Sequence, residues 1–537
     1  MQNEPFQLGI CMAGAVSAGA YTAGVLDCLL EALEGWEQKR GQDGVPTHRV
    51  TLSVIGGASA GGMTGLLTAA AVQQPGAKIF YKSWVEMEAD SMANAMLDPT
   101  DISESGLLSS LLNGSFVERL SQQAIAAAKY PTRTLPAYIH SSLKLFTTLT
   151  NLKGYPYNIS FTSERQKTVH SMSVHSDFAC FQLADSPLTD AEQLTEYRGH
   201  AEPGWIPLNV AKGVNTKLLQ KAIMATAAFP LVLKPVRLKR AKKMIQHNPW
   251  LNQQGLLLDM LSEEHISLQV DGGLMNNEPF EKVRELLQGA MADKRNPESE
   301  RDSFSSFTNT ILMIDPFPNT PDFQENDSLQ LTNIARQILN AMLHQMKAKP
   351  LPIADMMNKE KAGQFLIAPV RYKGNPEEKI EGAKAIASGV VGGFGGFLSK
   401  RFRLHDYALG QYNCARFLQN HFTIPLKQFH LHPLFSKGYE DIDLRPFLSD
   451  NKDSVQIIPV FNLQKQAPDW PVSDIDFIKE LKPAIQKRSA AILSNISRHW
   501  FKKRVLQLGG FLFINRYVAN AVVRHIQSAL QLHQLVQ

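Results

Sequence analysis

The sequence predicts an α/β sandwich built on a mostly parallel sheet and followed by a mainly helical C-terminal region. Two observations carry this. The chain opens with two successive units in which a short apolar run passes through a Gly-rich turn into a helical pattern, and its later apolar runs alternate with helical stretches. Beyond about residue 320 the texture is largely helical.

Taken in order, Gln7 to Met12 reads as a buried strand, and Gly14, Ala15, Ser17 and Gly19 follow it as a tight loop. From about Ala18 the spacing turns helical, with Tyr21, Val25, Leu29 and Leu33 on one stripe and Gly35 as the expected C-cap. Val50 to Ile55 alternates as a second strand, and Gly56 to Gly62 turns into a helix over Ala60 to Val72. Parallel strands joined by a helix cross over right-handedly, so if the two strands are neighbours their C-terminal turns lie side by side. Further strands are expected at Tyr157–Thr162, Ile266–Val270, Thr310–Ile314 and Phe365–Ala368. Long helices are expected at Ser328–Met346, His405–His421 and Ile475–Leu535. Residues 5–320 are expected to form one unit and 321–537 an extension, although Phe365–Ala368 lies where it could return to the sheet.

Composition narrows the function. With 44% hydrophobic and 20% charged residues in 537, the chain is expected to fold rather than remain disordered. Cys11, Cys28, Cys180 and Cys414 are far apart, so neither a disulfide framework nor a zinc site is indicated, and a reducing, cytoplasmic compartment fits. Gln7 to Leu30 is nearly uncharged, but no Lys or Arg precedes Lys39 and Asp27 interrupts it, so it is read as core rather than as a signal or a span.

Gly57-Ala58-Ser59-Ala60-Gly61 matches G-x-S-x-G, whose small residues permit a strained strand-to-helix turn that presents the serine hydroxyl. The pentapeptide also fits plain helix–sheet packing, but its position directly after an expected strand and before an expected helix favours a nucleophile elbow. No Lys follows as a phosphate loop demands. The 14–19 loop lacks a dinucleotide fingerprint and suits an oxyanion hole instead, with backbone N–H groups of Gly14, Ala15, Val16 and Ala60 as the donors. For a base, none of the 15 histidines stands out; His265 and His405-Asp406 are the best placed, and adjacent helical residues are expected to point apart. Asp271-Gly272-Gly273 follows an alternating segment, so its carboxylate is presented at a strand end.

Four blocks occur in order: Gly19-Ala20-Tyr21-x-x-Gly24-Val25-Leu26, Gly57-x-Ser59-x-Gly61, Ala222 to Val236, and Asp271-Gly-Gly-x-x-x-Asn277-x-Pro279. Together they resemble the patatin-like phospholipase family over roughly residues 5–320. The resemblance implies a three-layer patatin-like sandwich and a Ser59–Asp271 dyad acting on lipid esters, with no metal and no cofactor. Phe394-Gly-Gly-Phe, His405-Asp406-Tyr407, Gly410, Asn413 and Phe417 resemble the C-terminal part of larger bacterial members. The family's glycine triplet and the basic residue after it are replaced by Gly14-Ala15-Val16-Ser17-Ala18, which bears on how a bulky ester approaches. A Ser-His-Asp esterase and a scaffold with lost catalysis remain the alternatives.

The net charge of +5 is uneven. Residues 477–537 hold ten Lys/Arg against Glu480 alone, a local +9 that leaves −4 for the rest. No nucleic-acid-binding motif accompanies this charge. Val505–Val523 is too broken by Gln507, Asn515, Arg516 and Asn520 to span a bilayer, so an interfacial or docked helix is expected, with residues 477–537 touching the anionic inner face of the membrane peripherally.

Overall fold

The computed structural model describes residues 5–128, 135–162, 167–183, 202–252, 255–290, 303–318, 364–374, 378–474, 476–500 and 510–537. A central sheet organises them. Its strands are β1 (Phe6–Met12), β2 (Val50–Gly57), β3 (Ile139–Thr162), β4 (Lys167–Leu183), β5 (Ile206–Leu208), β6 (Val236–Ala241), β7 (Glu264–Asp271), β8 (Asn309–Ile314) and β9 (Gln364–Ile367). They run in the order β5-β4-β3-β2-β1-β8-β9, with β7 pairing to both β3 and β6. β3, β2, β1, β8 and β9 are mutually parallel, while β4 and β7 run antiparallel to β3.

Helices cover both faces. Alternation along β1 sends Leu8, Ile10 and Met12 into the larger core, beneath α1 (Gly19–Lys39) and α2 (Ser59–Ala71). The opposite side chains, with Cys11 among them, meet Val283 and Leu287 of a further helix, Phe280–Ala290, in a smaller core. This is the expected three-layer α/β sandwich. α1 runs on past Gly35 to Lys39. It is the helix among the described residues long and apolar enough to span a membrane, yet 83% of its apolar window is buried, because it fills the layer between the sheet and a C-terminal helix.

That partner is α3 (Lys400–Asn420), and the two helices cross where each lacks a side chain. A Cβ on Gly24 would strike the Tyr407 carbonyl, and one on Gly410 the Tyr21 carbonyl. The residues around Gly410 in the C-terminal motif serve the same joint. Asn413 Oδ1 accepts the Tyr21 hydroxyl (3.0 Å), and the Tyr407 hydroxyl donates to Asp27. The sheet continues past residue 320: β9 pairs with β8, and one hydrophobic cluster draws residues from both sides of that position. The expected helix Ser328–Met346 lies outside the described residues.

The C-terminal helices α4 (Asp476–Trp500) and α5 (Gly510–Leu532) replace the single long helix expected there. Their apolar side chains Ile478, Leu481, Ile485, Ala519, Val523 and Ile526 close over Leu398 and Phe402 in a separate cluster. Arg488 is buried, pairs with Asp101 and donates to the carbonyls of Asp98, Ser110 and Leu111. The segment is therefore docked on the body, with Lys479, Lys487, Arg516 and Arg524 facing outward.

Candidate active site

β3 acts as the ruler of the site. Along one edge it pairs first with β2 and then with β7, so that Thr147 lies opposite Gly57 and Leu149 opposite Asp271. The end of β7 is thus delivered within two residues of the turn that follows β2, although Ser59 and Asp271 are far apart in sequence.

Ser59 opens α2 with a φ of 51°, a left-handed conformation rare for any residue but glycine. Gly57 and Gly61 pack against each other beneath the turn, and the carbonyls of Met12 and Ala13 lie against Gly61. The strain is held by a threonine network. The Ser59 N–H donates to Thr226 Oγ1 (2.9 Å), which lies 2.7 Å from Thr147 Oγ1, and the Thr147 hydroxyl in turn reaches the Gly57 carbonyl (3.1 Å). Strain of this kind persists only where the surroundings over-determine it.

Asp271 is 3% exposed and Ser59 8%. The Gly273 N–H donates to Asp271 Oδ1 (2.7 Å), and the Ser59 side chain lies close enough to the carboxylate to act on its pKa. Burial pushes the Asp271 pKa up to about 7, against the lowering effect of Ser59 and the Gly273 N–H. The backbone is fixed as well: the Asp271 N–H donates to the Ala228 carbonyl (3.0 Å), and the Thr150 hydroxyl to the Asp271 carbonyl (2.8 Å).

The loop after β1 reaches the same place because β1 and β2 pair in parallel, Met12 opposite Gly57. Gly14 sits between Asn277 and Ser59. A Cβ there would collide with Asn277 Oδ1 and stand 3.1 Å from Ser59 Cβ. The one glycine retained at the start of this loop is therefore the one that close approach demands. Its N–H, however, already donates to the Asn277 carbonyl (3.2 Å), which corrects the expectation that Gly14 is an oxyanion donor. Ala15, Val16 and Ala60 are left as the candidates. Val16 holds a φ of 49° despite its branched Cβ. The next residue locks it in place: the Ser17 hydroxyl donates to the Gly393 carbonyl and accepts the Gly396 N–H (2.9 Å).

An apolar cavity of about 50 Å³ opens beside Ser59, lined by Val16, Met63, Trp84, Phe116, Phe229, Phe394 and Phe397 among others. A larger cavity, about 800 Å³, is lined by Arg416, His421, Lys427 and Asp450 and contains neither Ser59 nor Asp271. Among the described residues no cluster of His, Cys, Asp or Glu is arranged to hold a metal ion.

The histidine candidates lie elsewhere. His265 stands on β7 opposite Arg240, at the end away from Asp271. His405 and Asp406, expected to point apart, are in fact bonded, Nδ1 to Oδ1 at 2.8 Å. The imidazole folds back onto a carboxylate that the N–H groups of Ala387 and Ser388 anchor (2.8 Å each), and its ring packs edge-on against Trp470. Neither histidine lines the Ser59 cavity. The sequence gives no role at the site to four residues: Thr147 and Thr226, which hold the elbow, and Phe394 and Phe397, which line the cavity. Only Thr226 and the Phe394–Phe397 turn lie within recognisable motifs.

With this geometry in hand, a sequence profile described as patatin-like phospholipase matches residues 10–284, just over half of the chain. The chain belongs to the patatin-like phospholipase family. It is also 30% identical to an uncharacterized protein, y4iI, of Sinorhizobium fredii, in an alignment spanning 99% of this chain and 81% of that one. The family match takes in Gly14, Ser59 and Asp271, whereas the phenylalanines at 394 and 397 lie beyond it. Membership makes the chain, at a coarse level, a lipid acyl hydrolase by family.

Proposed function

We propose that the protein cleaves carboxylic esters of phospholipids or lysophospholipids through an acyl-serine intermediate, using Ser59 as nucleophile and Asp271 as general base. The observation that carries this reading is that β3 brings Ser59 beside the buried carboxylate of Asp271, whose pKa is lifted to about 7. At its ordinary pKa near 3.9 a carboxylate is a poor base for a serine; near 7 it is both ionised at neutral pH and basic enough to take the proton. Ser59 Oγ attacks the ester carbonyl and Asp271 receives its proton, which then passes to the leaving alcohol. Water repeats the sequence on the acyl-enzyme with Asp271 again as base. Backbone N–H groups of Ala15, Val16 and Ala60 are assigned to the tetrahedral oxyanion, at the positive end of α2.

The fluorophosphonate test is direct. The wild-type protein is expected to label and Ser59→Ala not to; equal labelling of both would remove Ser59 from the mechanism. Peripheral contact with an anionic membrane through residues 477–537 belongs to the same proposal. It is supported by the outward face of α5, where Tyr517, Val518 and Val522 stand exposed beside Arg516 and Arg524. Salt-sensitive vesicle binding that is lost in Arg516→Glu/Arg524→Glu is expected, and binding unaffected by both salt and substitution would return α5 to a purely structural role.

A further inference from the structure

We propose that the mouth of the Ser59 cavity carries a leucine lip, formed by Leu107, Leu111 and Leu231, that enters the surface layer of a phospholipid bilayer. This rests on the reading of the chain as a lipid ester hydrolase and adds where the substrate surface is met.

Two segments make the lip. The Leu111 N–H donates to the Leu231 carbonyl and the Leu112 N–H to the Val232 carbonyl, both at 2.9 Å. Inward, these segments supply Phe116 and Val117 on one side and Phe229 and Leu233 on the other to the cavity lining. Outward, Leu231 is 79% exposed, Leu107 64% and Leu111 48%. A single exposed leucine is ordinary, but three on adjoining backbone at the entrance of an apolar cavity form a patch of the kind that marks an interaction site.

Leu231 is also strained. Its φ of 66° is a conformation leucine seldom adopts, and with its side chain in water no burial offsets the cost. The backbone that carries Leu111 is fixed by Arg488 of α4, which grips the carbonyls of Ser110 and Leu111 and pairs with Asp101. Lys234, exposed three residues after Leu231, suits the phosphate level of a bilayer into which the leucines dip. A lipid is favoured over a protein partner because the patch is continuous with the cavity: an acyl chain that reaches Ser59 leaves its bilayer across this rim.

The test uses the full chain carrying Ser59→Ala and vesicles of mixed phosphatidylcholine and phosphatidylglycerol. Leu231→Gly suits the backbone angle and so preserves the fold; it is combined with Leu107→Ser and Leu111→Ser. Co-sedimentation of the parent is expected, with a loss of about tenfold or more in the triple variant, given the apolar area withdrawn. With Ser59 restored, hydrolysis of vesicular phospholipid should fall in step, while a soluble short-chain ester is cleaved within about twofold of the parent rate, since none of the three leucines lines the cavity. Unchanged sedimentation of the triple variant, or a parent that does not bind, overturns the lip. So does a concentration-dependent dimer that the triple variant abolishes while vesicle binding is retained. Intact, lip-dependent binding by a protein that cleaves no ester would instead strike the hydrolase reading and leave the lip standing.

Discussion

The two turns that meet at Ser59 are both strained, but they are restrained from opposite ends of the chain. The elbow is held from within the sheet unit by Thr147 and Thr226, every partner belonging to strands or helices that flank it. The loop at Val16 is held by Ser17, whose two partners, Gly393 and Gly396, lie more than 370 residues away. Sheet geometry thus brings Ser59 and Asp271 together, whereas the Val16 loop and part of the cavity wall depend on the C-terminal region. The lesson is that the extension is part of the site, supplying shape to a chemistry assembled without it.

This contrast is broken most severely at the pair itself. Ser59→Ala and Asp271→Asn are each expected to lower kcat on a soluble ester on the order of 10³-fold or more with little change in secondary structure, and His265→Gln by no more than a few-fold. Circular dichroism with ester kinetics checks both, and a histidine variant as inactive as Ser59→Ala would hand the mechanism to a Ser-His-Asp arrangement. A pH profile comes next. With the Asp271 pKa raised to about 7, kcat/KM should fall about tenfold per pH unit below that value as the base is protonated. The stability linkage has the opposite sense. A carboxyl whose folded pKa lies above its unfolded value stabilises most at low pH, and that contribution is lost as pH rises from the unfolded value through about 7, at roughly 1.4 kcal/mol per pH unit across that interval. Asp271→Asn should therefore raise the melting temperature most at pH near 8, less near 5, and change it little below about pH 4. A flat rate profile between these values would show that the base is another group.

How much of this is legible beforehand follows the same division. The β1 and β2 units, the Ser59 turn and the Asp271 strand end can be read because strand alternation, helical spacing and glycine punctuation are local signals. The long β3–β4 hairpin cannot, and only Tyr157–Thr162 of its 24-residue first strand is expected. β6 begins only at Val236, the last residue of its block, and α4 and α5 both fall within what looks like one helical run. At the site, Thr147 carries no sequence signal and Thr226 is one residue of the Ala222 to Val236 block with nothing to single it out, since a buried threonine in a strand or helix is as often mere packing. Phe394 and Phe397 stand out as a motif, yet nothing short of the tertiary structure joins them to Val16.

A smaller effect tests the elbow's support. Thr226→Val keeps the volume but removes the acceptor of the Ser59 N–H, leaving a buried donor unpaired at a cost of about 1–3 kcal/mol. We expect a lower melting temperature and roughly a tenfold drop in kcat/KM, with kcat more affected than KM, because the serine is mispositioned rather than the ester unbound. Equal loss in KM alone would mean that the threonine shapes the cavity and not the nucleophile.

The smallest effect concerns Val16, where the two restraint systems can be separated. Its φ of 49° costs on the order of 1–3 kcal/mol for a branched residue, and glycine would remove that cost while adding about 1 kcal/mol of unfolded-state entropy. The two terms nearly cancel, so Val16→Gly should leave the melting temperature close to that of the parent. The loop itself will not move, because Ser17 still bridges Gly393 and Gly396. What changes is space: Val16 lines the cavity, and losing its side chain opens an entrance now about 50 Å³ in extent. A several-fold gain in kcat/KM for bulkier acyl esters, with the acetyl ester unchanged, is therefore expected from a chain-length series. In Ser17→Ala the same series should show loss for every ester, since there the left-handed loop has lost its distant anchor. If Val16→Gly slows all esters equally, the valine is holding the oxyanion N–H in place, and the strain at this position serves the chemistry rather than the fit.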